Sequence, residues 1–263
     1  YEIGTRLAEK GHKFSLVTVN PGDLSANEVI RGIHIYRIRG NIMAHLLAPK
    51  MIRRIDPDIV VDDLGHAVPW LSTYFIDKPI IAAFYHLHAR SLPGQVNPLT
   101  ASILTLIEKQ YKYIYNRSIF VTLSDTATND LIALGIKKQN IIRILPGADH
   151  ELFKPKVKEK TPTLIYFGGM RDYKRPWLAL KLLSMFRDAK FKLIVVGSGP
   201  SLPQMKELCE RLRLCGMVTF TGKLIGQPLS NAIGSSWINV HFSVTEGFGL
   251  SIAEAAACGT PTV

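Results

Sequence analysis

Short apolar runs alternate with amphipathic stretches along almost the whole chain, and this rhythm restricts the fold more than any single motif. Runs at 14–19, 33–38, 59–61, 79–84, 118–123 and 141–145 read as strands. Helical patterns fall between them at 43–55, 99–116 and 124–134, the second marked by Ile103, Leu106, Ile107, Tyr111, Ile114 and Tyr115. An opening helix over 1–10 has Ile3 and Leu7 at helical spacing and stops at Gly11, a residue suited to the left-handed position after a helix. The pattern breaks over 149–163 into a polar, Lys- and Pro-rich segment without periodicity, which reads as a linker. It then restarts, with strands expected at 163–167, 191–196, 218–221 and 237–242 and helices at 177–186, 202–214, 229–235 and 250–258.

Such alternation predicts an α/β protein with doubly wound parallel sheets. The break divides it into two Rossmann-like domains in series, 1–152 and 153–263, a plan that suits a ligand held in a cleft between them. The chain opens inside a helix and reaches Pro261-Thr262-Val263 as if entering a strand. The expectation is therefore a piece of a longer protein, truncated at both ends and marginal or inactive alone.

At 263 residues the chain is long for one core, and 47% apolar content excludes disorder. No apolar stretch is long enough to span a bilayer, so a soluble or peripheral protein is expected. Cys209, Cys215 and Cys258 lack metal-site spacing and read as reduced, cytoplasmic thiols. The net charge of +11 asks for an anionic partner. From Lys156 onward 14 basic residues face 7 acidic ones. Aromatic residues are not interleaved with the basic ones, which argues against nucleic acid. A nucleotide diphosphate, together with peripheral contact on an anionic membrane, accounts for the charge.

The most specific segment is 237–261. An apolar strand ends at Glu246, Gly247-Phe248-Gly249 turns the chain, and an Ala-rich helix from Leu250 carries Glu254 about one turn in. Glycines let backbone approach a ligand closely. The helix N-terminus offers unpaired N–H groups to phosphate, while the two carboxylates can accept sugar hydroxyls.

This segment resembles the E-x7-E signature of retaining glycosyltransferases with the two-domain GT-B fold, in particular family 4, including its Phe-Gly-Leu and Cys-Gly-Thr-Pro neighbours. The loop Gly168-Gly169-Met170-Arg171-Asp172-Tyr173-Lys174 is similar to the family's Gly-Arg-Leu-x-x-x-Lys-Gly loop. Lys174 matches the Lys; Gly169 stands where the family has Arg, with Arg171 the nearest substitute. Gly197-Ser198-Gly199-Pro200 lacks the third glycine of a dinucleotide fingerprint, which argues against a dehydrogenase. Gly222-Lys223 reads as a turn, and Leu145-Pro146-Gly147-Ala148-Asp149 resembles the family hinge. His86-Leu87-His88-Ala89-Arg90 resembles an archaeal-like subgroup and favours His86 over His88. The acidic residues at 56, 58, 62 and 63 read as turn and strand-end groups.

The resemblance implies metal-independent, retaining transfer from a UDP- or GDP-linked sugar to a lipid, glycan or small-molecule acceptor, with no cofactor and no metal. Glu246, His86 and Lys174 are then expected at the reacting end. Glu254, Gly168, Gly169, Arg171, Gly247, Phe248, Gly249 and Leu250 are expected to bind the donor. A non-catalytic nucleotide-sugar-binding module and a GT-B sugar-nucleotide epimerase remain the alternatives.

Overall fold

The computed structural model describes residues 2–90, 92, 96–186 and 189–263. Tyr1, the expected start of the first helix, lies outside them. In chain order the elements begin α1 (Glu2–Glu9), β1 (Phe14–Asn20), β2 (Asn27–Ile30), β3 (Ile33–Arg39), α2 (Asn41–Ile55) and β4 (Val60–Leu64). Next come α3 (Ser72–Phe75), β5 (Ile80–Phe84), α4 (Pro98–Glu108), α5 (Tyr111–Ile114), β6 (Ile119–Thr122), α6 (Asp125–Ala133) and β7 (Ile141–Arg143). The remainder is β8 (Thr163–Phe167), α7 (Trp177–Ser184), β9 (Lys192–Val196), α8 (Leu202–Arg211), β10 (Val218–Gly222), α9 (Gln227–Ser235), β11 (Ile238–Asn239) and α10 (Leu250–Ala257). Among the described residues, no helix is long and apolar enough to cross a membrane.

The chain forms two compact units. The first comprises Tyr1–Phe84, Leu106–Thr122 and Leu131–Ile142; the second comprises Tyr85–Thr105, Leu123–Asp130 and Arg143–Val263. The first unit holds a three-stranded sheet, β1-β3-β2, and a four-stranded one, β4-β5-β6-β7. β1 and β3 run parallel, whereas β2 pairs antiparallel with β3. The rhythm of apolar runs does not reveal β2. It exists because Arg31 and Gly32, with φ of 48° and 78°, close a two-residue hairpin whose left-handed backbone matches strand twist.

In β4, Val60, Asp62 and Leu64 alternate inward. Burial pushes the Asp62 carboxyl up, and the group is matched by donors: Ser72 Oγ at 2.6 Å and Tyr115 Oη at 3.0 Å. Tyr111 Oη donates to the Ala67 carbonyl at 2.9 Å, and its ring meets Phe84 and Tyr115 edge-on. These two fully buried tyrosines explain why the helix expected over 99–116 is broken. Around Gln110 the backbone bonds to Ile107 three residues back, and a separate short turn carries both rings inward.

The second unit is built on one parallel sheet in the order β10-β9-β8-β11. All five residues of β8 are buried, so both faces must be covered. One face packs Leu164, Tyr166, Leu193 and Val195 against Leu180 and Leu183 of α7 and Met205 of α8. The other packs Ile165, Phe167 and Val196 against Ile233 of α9 and Ala255 of α10. The strand order reverses between β8 and β11, and in such sheets the C-terminal ends of the strands at the reversal frame a crevice.

Two loops leave these strand ends in close backbone contact. Gly168 N–H donates to Val196 O at 3.1 Å, Met170 N–H to Ser198 O at 3.0 Å and Ser201 N–H to Met170 O at 3.0 Å. A Cβ on Gly197 would lie 2.0 Å from Gly168 O, and one on Gly199 would lie 2.4 Å from Met170 O. Both glycines have positive φ, at 135° and 153°. The Gly-Ser-Gly turn is thus explained by loop packing. Ser201 Oγ adds a 2.9 Å bond to Asp172 Oδ1.

Behind the crevice, Lys158 anchors the linker. Its ammonium donates to Gly234 O at 3.0 Å, Ser236 O at 2.7 Å and Thr260 Oγ1 at 2.8 Å, placing a cation at the C-terminus of α9.

Gly197→Ala should destabilise the protein by about 2–3 kcal/mol, through steric conflict and backbone strain, in chemical denaturation. Gly216→Ala, where an added Cβ meets nothing within 4 Å, should stay within about 0.5 kcal/mol of the parent.

Candidate functional site

A cavity of about 580 Å³ opens at the strand-order reversal of the second unit. Gly168 and Gly169 enter it directly after β8, Val196 at the end of β9 with Gly197 and Ser198 after it, and Lys223 and Leu224 after β10. Glu246, Gly247 and Phe248 come from the segment between β11 and α10, and Leu250, Ser251 and Glu254 from α10 itself. Tyr85, His86 and Leu123 complete the wall together with Phe167, Lys174 and Leu229.

Of the residues expected at a site, Glu246, His86, Lys174, Glu254, Gly168, Gly169, Gly247, Phe248 and Leu250 all line this cavity. Two do not. Gly249 sits just behind as the residue before α10, with φ 84°, a left-handed conformation that turns the chain into the helix. Arg171 is solvent-exposed and contributes its backbone carbonyl, at 2.9 Å, to the Lys174 N–H. Its side chain is therefore not gathered with Lys174. His88 is also absent from the wall, its ring centroid 4.8 Å from that of His86.

Lys174 reaches the cavity because Asp172–Lys174 forms a 3-10 turn, after which Arg175 adopts a left-handed conformation before α7. Val244 N–H donates to Tyr173 O at 2.8 Å, tying this turn to the segment that carries Glu246. The Lys174 ammonium ion-pairs with Glu246 Oε1. His241 Nε2 lies 3.1 Å from the same oxygen.

Burial alone would push the Glu246 carboxyl up. His241, Lys174 and Ser243 outweigh it and hold the group down at about 2. Glu254 has no such set of partners, and burial raises it. The two carboxylates therefore differ: the partners of Glu246 favour its anion, whereas burial disfavours the charge of Glu254. Tyr166, beneath the loop, donates to Gly169 O at 3.2 Å; burial and then the charge of Glu246 push its phenol up.

Sequence reasoning missed His241, Ser243 and the outer wall at Leu224 and Leu229, and it read Lys223 as an ordinary turn residue. A signal for His241 was present: a histidine interrupts an apolar strand five residues before Glu246. Among the described residues, no group of three or more His, Cys, Asp or Glu side chains could hold a metal ion. Asp56 pairs with Lys78 at 2.9 Å.

The depressed carboxyl has a consequence for stability. With a folded value near 2 and an ordinary value of 4.5, Glu246 stabilises the fold above about pH 4.5 and loses that contribution as pH falls toward 2. Chemical denaturation between pH 5 and 2 should show a component of this acid sensitivity that disappears in Glu246→Gln.

Comparisons with known proteins identify the family and the fold. The family "Glycosyltransferase Family 4" matches residues 1–152, and "Glycosyl transferases group 1" matches residues 148–263. N-acetyl-alpha-D-glucosaminyl L-malate synthase of Bacillus anthracis is 22% identical over 100% of this chain and 73% of its own length. Sucrose-phosphate synthase of Thermosynechococcus elongatus superimposes with a TM-score of 0.76 at 19% identity, covering 99% of this chain and 73% of that one. The Anabaena protein HepE, solved in complex with UDP-glucose, has a TM-score of 0.70 at 15% identity, covering 88% and 67%. A strand-order reversal framed by glycine loops, a Lys–Glu pair and an Ala-rich helix, on a chain matched from end to end by these two families, makes this protein a GT-B glycosyltransferase of family 4.

Proposed function

We propose that this glycosyltransferase takes its sugar from a UDP- or GDP-linked donor and transfers it with retention of anomeric configuration, without a metal ion. The observation that carries the reading is the pairing inside one cavity of a cationic, backbone-lined wall at Gly168, Gly169 and Lys174 with the carboxylates Glu246 and Glu254. Donor phosphates need N–H groups and cations, whereas ribose and sugar hydroxyls need anionic acceptors. The Anabaena relative, solved with UDP-glucose, supports a nucleotide sugar here as well.

In this reading Lys174 and the first N–H groups of α10 bind the diphosphate. Glu254 accepts from the ribose hydroxyls, which offsets the burial cost of its charge. Glu246 accepts from the donor sugar's hydroxyls, and His86 borders the sugar. The acceptor hydroxyl oxygen bonds to the anomeric carbon as the bond from that carbon to the phosphate oxygen breaks. The electron pair leaves with the diphosphate, and the hydroxyl proton passes to the departing phosphate oxygen. Glu246 is a binding carboxylate in this scheme, because its partners hold it as an anion beside Lys174. The acceptor is a lipid, glycan or small molecule, and the charge of +11 suits a peripheral position on the inner, anionic face of a membrane.

Calorimetric titration of the full-length protein with UDP- and GDP-linked sugars, first in chelator and then with magnesium, tests the donor and the metal together. One donor should bind with equal affinity in both conditions; no binding to any nucleotide sugar would overturn the reading. Glu254→Ala should weaken binding of the free nucleotide about 10- to 100-fold, the worth of a hydrogen bond to a charged group. Glu246→Ala should leave the nucleotide bound and lower turnover by about 100-fold or more.

A further inference from the structure

Glu246 is held by His241, Lys174 and Ser243, and the first two are not equivalent. Lys174 lines the cavity and is exposed to whatever enters it. His241 is not part of the wall. Its Nε2 is buried, lies 3.1 Å from Glu246 Oε1 and makes no fully aligned hydrogen bond among the described residues. The backbone beneath the imidazole is fixed: Val240 N–H donates to Ile165 O at 2.9 Å, and His241 N–H donates to Val263 O at 2.8 Å. The ring is thus carried on a strand extension bonded to neighbouring backbone on both sides.

When a diphosphate draws the Lys174 ammonium toward itself, Glu246 loses part of its restraint on the cavity side. The contact with His241 remains. We infer that His241 is a positioning residue: it holds Glu246 Oε1 in place once Lys174 engages the donor's diphosphate, so that the carboxylate stays oriented to accept from the donor sugar. This rests on the donor reading above and deepens it. The half-buried imidazole is thereby assigned to recognition of the sugar and not of the nucleotide. A buried group that fixes a ligand-binding side chain from behind is a general requirement for a precise site.

The test separates the sugar's contribution from the nucleotide's. Affinities are measured for UDP and GDP and for UDP-glucose, UDP-N-acetylglucosamine and GDP-mannose, in the full-length protein and in two variants. His241→Phe keeps a ring and removes the donor atom; His241→Gln keeps an N–H at similar reach. The wild type should bind one sugar nucleotide more tightly than its parent nucleotide. His241→Phe should reduce that preference about 10-fold while nucleotide affinity stays put, and His241→Gln should restore most of it. In a Glu246→Ala background, His241→Phe should cost nothing further, because the two side chains act as one unit. Equal behaviour of the Phe and Gln variants, or losses that multiply in the double variant, would overturn the inference while leaving the donor reading intact. A wild type that prefers no sugar nucleotide over its nucleotide would overturn the inference, and one that binds no sugar nucleotide at all would overturn both.

Discussion

The loops after β8 and β9 pass so close that a single methyl group would force them apart, and the arrangement of the cavity depends on that proximity. Gly197 and Gly199 have no Cβ to collide with the carbonyls of Gly168 and Met170. The backbone bonds between Met170 and Ser198 and between Ser201 and Met170 then lock the pair. Everything carried on the first loop inherits this rigidity. Asp172 is held by Ser201, Tyr173 receives Val244, and Lys174 is delivered to Glu246. Removing freedom from such a loop before a ligand arrives lowers the entropy lost on binding.

The carboxylates show how environment gives two roles to one residue type. Glu246 is surrounded by a cation, an imidazole and a hydroxyl, so its charge is stabilised despite burial. Glu254 is half-buried on α10 without that company, so its charge gains most from a ligand that brings hydroxyl donors. For the proposed nucleotide-sugar donor the distinction matters, because hydroxyls on its ribose and on its sugar would be recognised at different points. The buried Asp62 of the first unit is a contrast. Ser72 and Tyr115 satisfy both its oxygens inside a closed core. That carboxylate has no acceptor capacity pointed at an open cavity, and it organises packing.

Much of the fold can be read along the chain because its signals are local. Strand and helix periodicities, the polar break after Asp149 and the glycine turns are encoded in consecutive residues. The exceptions are instructive. β2 depends on a two-residue turn at Arg31-Gly32, whose left-handed pair leaves only a weak mark in composition. The helix expected through 99–116 breaks because two tyrosines are drawn inward to partners more than forty residues away, Ala67 and Asp62, and their distance in sequence hides them from periodicity.

The same division holds at the site. Glu246, Gly247, Phe248, Leu250 and Glu254 are neighbours in one segment, so the sequence by itself identified them as a unit and identified the family with them. Lys174 meets Glu246 across 72 residues, and His241 turns from a strand residue into a partner of that same carboxylate. Arg171 stays in solvent although it stands only three residues from Lys174. Only the tertiary structure decided these, because the meeting of loops depends on which strands are adjacent. That order follows from the burial of β8 on both faces and the crossing of the chain to β11, which are properties of the packed sheet and of no single stretch of residues.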